Sequence, residues 1–443
     1  MKRLVDKLRR FNLPSPSQGG VGGNAFGGGN FDGSGIPPSR PPPRGGRRSL
    51  AAGLALASLA LATFSWGALK TGIAALGPPD LRQASELSVS VLDRGDRLLR
   101  AFTTPDGRWR LPVEVADVDQ RYLKLLFAYE DRRFRDHGGV DPLAVARAIG
   151  LLVRHGRIKS GASTLTMQVA RLVEGHHART GLGKLAQMAH ALQLERHLSK
   201  DDILRLYLAL APFGGNVEGV RAASLAYFGK EPKHLSLGEA ALLVALPQSP
   251  ESRRPDRHWN AARLARNRVL ERAVRAGVVS RIEAERASRE PVPRARREFV
   301  KLAPHLAEAE ARRDPEAAVH RTTLDRDLQA SMEELAREHA RALGARLSAA
   351  VMVVDHTSGE TLAYVGSSDY LDDTRFGSID MIKAVRSPGS TLKPIIYGLG
   401  FEQGLIHPET LIEDRPVRFG TYAPKNFDDD FHGTVTVREA LGQ

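Results

Sequence analysis

From Ser49 to Leu69 the chain reads SLAAGLALASLALATFSWGAL, 21 residues without a charge. A helix rises ~1.5 Å per residue, so a run of this length crosses the ~30 Å hydrocarbon core of a bilayer. A cleaved signal peptide would place a short basic region before a shorter apolar stretch. Here 48 residues precede the run, so a retained single transmembrane anchor is expected over 49–72. The cluster Arg40, Arg44, Arg47 and Arg48 should stay cytoplasmic by the positive-inside rule, which sends everything after Leu69 outward.

The formal net charge of +13 raises nucleic acid as a partner, but its distribution argues against that. Residues 1–48 carry nine Lys or Arg against Asp6 and Asp32, so +7 of the excess lies before the apolar run. No stripe of interleaved basic and aromatic residues follows, and nucleic-acid binding is not expected. Between the basic clusters, SQGGVGGNAFGGGNFDGSG and PPSRPPPRGG cannot bury a core, so 1–48 reads as a disordered cytoplasmic tail. The absence of cysteine removes disulfides, thiolate metal sites and a cysteine nucleophile from consideration.

Beyond the run, residues 88–113 read as short strands broken by turns at Gly95 and Asp106-Gly107. Helical periodicity then takes over. Val118, Tyr122, Leu125, Leu126 and Tyr129 mark one face leading into Glu130, and Leu143, Ala146, Ile149 and Val153 mark another. Further helices are expected over 182–197, 201–211, 236–246 and 259–277, making 115–280 largely α. A passage rich in Pro, Arg and Glu from Glu290 to Pro315 reads as linker with some helix. AAVMVVDHTSGETLAYVGS, 349–367, then reads as strand, turn at Gly359, strand, the edge of a mixed sheet. The domains expected are 85–285, a linker over 286–320, and a second domain beginning at 321.

Two segments of the helical region could carry chemistry. In YEDRRFRDHGGVDP, 129–142, two acids meet Phe134 and His137; neighbours on a helix point to different sides, so one of Glu130 and Asp131 can face a cleft while the other caps or pairs. In KSGASTLTMQVAR, 159–171, a Gly-Ala-Ser-Thr stretch opening a helix offers N–H groups and hydroxyls to an anion, or simply an N-cap. Together, EDxxFxxHxG followed by GxSTxTxQ resembles the family 51 glycosyltransferases, the peptidoglycan polymerases of class A penicillin-binding proteins. The resemblance continues through LERHLSKDDILRLYLALAPFGGNVEGVRAASLAYFGK (194–230) and LSLGEAALLVALPQSPESRRPDR (235–257), covering about 90–280. GKLAQMAHALQLE with APFGG is most similar to the 1C-type subgroup.

That resemblance implies a mainly α, lysozyme-like domain lying against the bacterial inner membrane on its periplasmic side. It implies that Glu130 is the general base, taking the proton of an acceptor sugar 4-hydroxyl as it attacks the anomeric carbon of a lipid-linked donor. Polyprenyl pyrophosphate leaves, and its charge needs cationic or N–H stabilisation. Ser163, Thr164, Gln168, Arg171 and Lys184 are the matching positions for that second role, with Asp131, Phe134, His137 and Gln187 completing the substrate-binding set. The implied partners are lipid II, the growing glycan strand, the membrane and other wall-synthesis proteins. No cofactor is required, although the substrate pyrophosphate can itself recruit Mg²⁺.

The family pattern is not kept throughout. Its third motif usually reads Arg-Lys-x-x-Glu, whereas this chain has Gly183-Lys184-Leu185-Ala186-Gln187, and an amide cannot hold a proton or a metal as a carboxylate does. Met167 replaces the usual Gln, and Ala209 the usual Asn. These losses leave open a second reading, a non-catalytic scaffold of the wall-synthesis machinery. A lysozyme-like hydrolase is disfavoured for want of a second acid at motif spacing.

In AVRSPGSTLKPIIY, 384–397, Ser390 and Lys393 are three apart, so at a helix start both project from one face. With Arg-Ser-Pro-Gly before and Pro after, the segment resembles the acylation motif of penicillin-binding transpeptidases, in a β-lactamase-like α+β domain. TTLDRDLQASMEELA (322–336) and the hairpin at 349–367 support it. By resemblance, Ser390 is the nucleophile and Lys393 its activator. The family's S-x-N and K-T-G elements lie later than VREALGQ, so the site in this chain is expected to be incomplete, with β-lactams binding only where the domain is complete. His176-His177 have no acid at ligand spacing, and no metal site is expected.

Overall fold

The computed structural model describes residues 71, 77–155, 163–174, 181–426 and 429–442. The expected membrane anchor, the cytoplasmic tail and the His176-His177 pair lie outside these residues. Among the described residues no helix is long and apolar enough to cross a membrane.

The centre of the helical domain follows from one sequence, LGEAALLVA. It is apolar on all sides, which suits a helix surrounded by protein. Ala240, Ala241, Leu242, Leu243, Val244 and Ala245 are all at most 1% exposed. This helix, Leu237–Ala245, starts at a capping box in which Ser236 and Glu239 satisfy each other's free N–H groups. The same device starts the helices Lys200–Leu210, from Ser199 and Asp202, and Arg281–Arg289, from Ser280 and Glu283.

In chain order the helices are α1 (Gln120–Glu130), α2 (Pro142–His155), α3 (Leu165–Val173), α4 (Gly181–His197), α5 (Lys200–Leu210), α6 (Val220–Phe228), α7 (Leu237–Ala245), α8 (Pro255–Arg275) and α9 (Arg281–Arg289). α7 packs on α1, α6, α8 and α9, and α3 packs on α4 and α5. Tyr122, Leu125 and Leu126 of α1 enter the core at 1% exposure or less. On α2, Leu143 is 62% exposed and Ala144 8% exposed, and Asp141 accepts the Ala144 N–H at 3.0 Å.

The strands are few. β1 (Ser90–Leu92) pairs antiparallel with β2 (Leu98–Ala101). A second small sheet joins β3 (Trp109–Arg110), β4 (Pro212–Gly214) and β5 (Val217–Glu218). The presumed linker is more structured than its composition suggests. It contains α10 (Pro304–Arg313) and ends in β6 (Val319–Arg321), which pairs in parallel with β1. A second apolar cluster of Val91, Leu99, Ala303, Ala307, Leu324 and Tyr364 seals this junction.

The C-terminal part is α+β. α11 (Arg326–Leu343) is capped by Asp325, which accepts from the Asp327 and Leu328 N–H groups. β7 (Val351–Val354) and β8 (Thr361–Val365) form an antiparallel hairpin, turning at Gly359 with φ +76°. α12 (Lys393–Glu402) holds Ile395, Ile396 and Leu399 in solvent, each at least half exposed.

Candidate active site

α1 stops at Glu130 because Asp131 leaves helical geometry, with φ −154° and ψ 82°. The break sends the two acids in different directions. Glu130 lines a cleft of about 990 Å³ together with Ser163, Gln248, Arg132, Arg147 and Arg272. Its Oε2 accepts from Gln168 Nε2 at 2.9 Å, and its Oε1 accepts from Gln248 Nε2 at 2.8 Å. Both partners are neutral amides, so the carboxylate is oriented without being neutralised by an arginine.

Asp131 is 6% exposed and is consumed by the protein. His137 Nε2 lies 3.0 and 3.1 Å from its two oxygens, and the Leu165 N–H donates to Oδ2 at 3.0 Å. The anion at the N-terminus of α3 is therefore the chain's own carboxylate. The Met167 N–H is also taken, because Thr164 caps α3 by accepting it at 3.1 Å while its hydroxyl donates to Gly139 O. Of the two readings of this helix start, an anion site or an N-cap, the Leu165 and Met167 N–H groups follow the second.

Four expected substrate contacts are likewise structural. Asp131 and Thr164 are occupied as described. Phe134 is 1% exposed, stacked on Phe127 at 5.6 Å beneath the Lys200 ammonium. His137 is 9% exposed. Phe134 and His137 stand behind Glu130, while Asp131 and Thr164 reach the lining of the cleft with their polar groups already bonded to the protein. Met167 and Ala209, the departures from the family pattern, are buried in the core at 2% and 7% exposure.

Ser163, on the lining of the cleft, leads to a cationic group behind it. Lys184 Nζ, on α4, donates to Ser163 Oγ and to Gln187 Oε1 at 3.3 Å. Burial, and then the neighbouring Arg171 charge, pull the Lys184 ammonium below its ordinary pKa. An approaching phosphate would relieve both effects. Gln187 thus serves as a neutral acceptor for Lys184. Lys184, Arg171, Ser163 and Gln187 supply an ammonium, a guanidinium, a hydroxyl and an amide, a donor set that fits an anion directly and not a protein-held Mg²⁺. Among the described residues no three His, Cys, Asp or Glu converge to hold a metal.

Sequence reasoning assigned no role to Gln248, Tyr129 or Arg253, although 129–142 and 235–257 both belong to the resemblance. The signal was available in LPQSPESRR, a Pro-flanked segment directly after the buried α7. Asp141, the third carboxyl on the cleft lining beside Glu130 and Asp131, is bonded to Arg133 and to the Ala144 N–H. Of the acids at the cleft, only Glu130 is left to accept a proton.

Residues 96–274 match the family model "Transglycosylase", and residues 349–443 match "Penicillin binding protein transpeptidase domain". Penicillin-binding protein 1C of Escherichia coli (strain K12) is 47% identical over 388 residues, which is 88% of this chain and 49% of the relative. The chain belongs to the class A penicillin-binding proteins. Penicillin-binding protein 1F of Bacillus subtilis (strain 168) is 29% identical, covering 80% of this chain and 51% of that protein. The chain thus spans about half the length of these curated relatives. The 2.6 Å crystal structure of penicillin-binding protein 1A from Haemophilus influenzae aligns with 81% of this chain and 59% of that one, at 18% identity and a TM-score of 0.33, too loose a likeness to bear on the fold.

In the transpeptidase region, Ser390 lies in a 3-10 turn (Gly389–Leu392) immediately before α12, and Lys393 is the first residue of α12. The Lys393 N–H donates to the Ser390 carbonyl, which places the two residues on one turn. Both side chains are exposed.

Proposed function

We propose that this protein is a membrane-anchored peptidoglycan glycosyltransferase, polymerising lipid II into β-1,4-linked glycan strands with release of undecaprenyl pyrophosphate. The observation that carries the reading is one unneutralised carboxylate, Glu130, in a cleft that Ser163, Arg132, Arg147 and Arg272 also line, with the Lys184 ammonium hydrogen-bonded to that serine. A glycosidase would need a second carboxyl flanking the bond, and Asp131 and Asp141 are both engaged elsewhere.

In this mechanism the acceptor 4-hydroxyl attacks the anomeric carbon of the donor while Glu130 takes its proton. The C–O bond to the pyrophosphate breaks with its electron pair, and the charge is received by Lys184 and Arg171, with Ser163 donating. Each group acts where charge develops, which is how fixed donors lower a barrier. Any Mg²⁺ present would travel with the substrate pyrophosphate. The lysozyme-like fold class, the transmembrane helix over 49–72 and the periplasmic orientation, with the N-terminus in the cytoplasm of the inner membrane, are part of the same reading. The C-terminal region is the opening of a β-lactamase-like D,D-transpeptidase with Ser390 as nucleophile.

The test is turnover. Full-length protein in detergent, given labelled lipid II, should yield polymer and undecaprenyl pyrophosphate in step. Binding of lipid II without either product would favour the scaffold reading that the loss of the motif-three carboxylate at Gln187 suggests.

A further inference from the structure

Glu130 is held from two sides, and the two holders differ. Gln168 reaches it from α3, inside the domain. Gln248 reaches it from the exposed segment after α7, and its amide orientation is dictated by its neighbours. Arg253 Nη1 lies 3.1 Å from Gln248 Oε1, and a guanidinium can only donate. The oxygen must therefore face Arg253, which turns Nε2 to Glu130. The Tyr129 hydroxyl donates to the same oxygen at 3.4 Å. Arg253 is itself fixed, donating through Nη1 to the Ala245 carbonyl at 2.7 Å, at the C-terminal end of α7 where a cation is favoured. The segment between is a tight turn, with Ser249 N–H on Leu246 O and Arg253 N–H on Ser249 O, both at 3.1 Å.

We infer that Gln248, oriented by Arg253 and Tyr129, is a positioning residue that aims the Glu130 carboxylate at the acceptor hydroxyl. This rests on the reading of Glu130 as the base. One amide on each carboxylate oxygen fixes the plane of the group and leaves each oxygen with a lone pair for the incoming proton. The other charged or titratable groups around Glu130 do not bond to it: the buried Tyr122 and Tyr207 hydroxyls beneath, Asp131 beside it, and Arg132, Arg147, Arg272 and Arg275 along the cleft. Gln248 is thus the adjustable contact, on the solvent side.

The experiment uses full-length protein in detergent with labelled lipid II, comparing Gln248→Met, Gln248→Asn, Arg253→Met and the double variant Gln248→Met/Arg253→Met. Gln248 is exposed, so helical content and Tm should stay at wild-type values for its variants. Losing the donor, or withdrawing it by one methylene, should lower kcat on the order of tenfold with little change in KM. Arg253→Met should reproduce the same fall in kcat at unchanged KM, and the double variant should be no worse than Gln248→Met alone, since both act through one contact. Gln248→Met with wild-type kcat would overturn the inference. Glu130→Gln is the reference: if it retains full activity the base assignment has failed, and if it is inactive while Gln248→Met runs normally only the positioning role falls.

Discussion

Replacing Asp131 by alanine should damage the site from behind, and the size of the effect can be worked from its contacts. The carboxylate is 6% exposed and serves two buried partners, His137 Nε2 and the Leu165 N–H. Removing it leaves both donors without an acceptor, on a histidine whose Nδ1 already has no protein partner. An orphaned buried donor costs ~1–3 kcal/mol, and breaking a buried charged contact by deleting one side costs ~3–5 kcal/mol. At ~2–4 °C per kcal/mol for a domain of this size, the helical signal should melt roughly 10 °C lower. Asp131→Asn keeps one acceptor and should lose about half as much. Activity should fall further than stability, because Leu165 begins α3 and Gln168, the inner holder of Glu130, sits one turn later on it. The assay is thermal melting by circular dichroism beside lipid II polymerisation. An Asp131→Ala protein that melts within ~2 °C of wild type, or one no less stable than Asp131→Asn, would refute the reasoning.

Other expectations are independent of that one. Gly139 has φ +92°, and a Cβ there would lie 2.7 Å from the Ala191 carbonyl oxygen and 2.9 Å from its carbon; Gly139→Ala should cost more than ~2 kcal/mol, read as a fall in urea midpoint. Burial raises the Glu333 carboxyl above its ordinary 4.5, against hydrogen bonds from Gln329 Nε2 and the Ala303 N–H. Its favourable contribution is complete below pH 4.5 and is lost as pH rises through the higher folded value, so stability should slope downward just above 4.5 and Glu333→Gln should flatten that slope.

Much of the architecture was legible because it is encoded locally. The Ser-x-x-Glu and Ser-x-x-Asp boxes announce helix starts, LGEAALLVA announces a buried helix, and Gly359 marks the hairpin turn. The divergence of Glu130 and Asp131 was also readable from helix geometry. What each acid then does was not, because Asp131 meets Leu165 across 34 residues and Gln248 meets Glu130 across 118. A helix start such as 163–168 looks open to a ligand until a distant carboxylate is found on it. The structured end of the linker was hidden by composition, since β6 exists only by pairing with β1 far earlier in the chain.

The central claim is that Glu130 accepts the proton of the acceptor sugar, and one substitution isolates it. Glu130→Gln preserves the shape and offers its amide oxygen to Gln168 or Gln248, so the fold should persist, yet it removes the proton-accepting group. The initial rate of polymer formation from labelled lipid II by full-length protein should drop at least a hundredfold, the upper range for general-base contributions being ~10⁴, with substrate binding retained. A Glu130→Gln enzyme that elongates glycan at the wild-type rate would contradict the account.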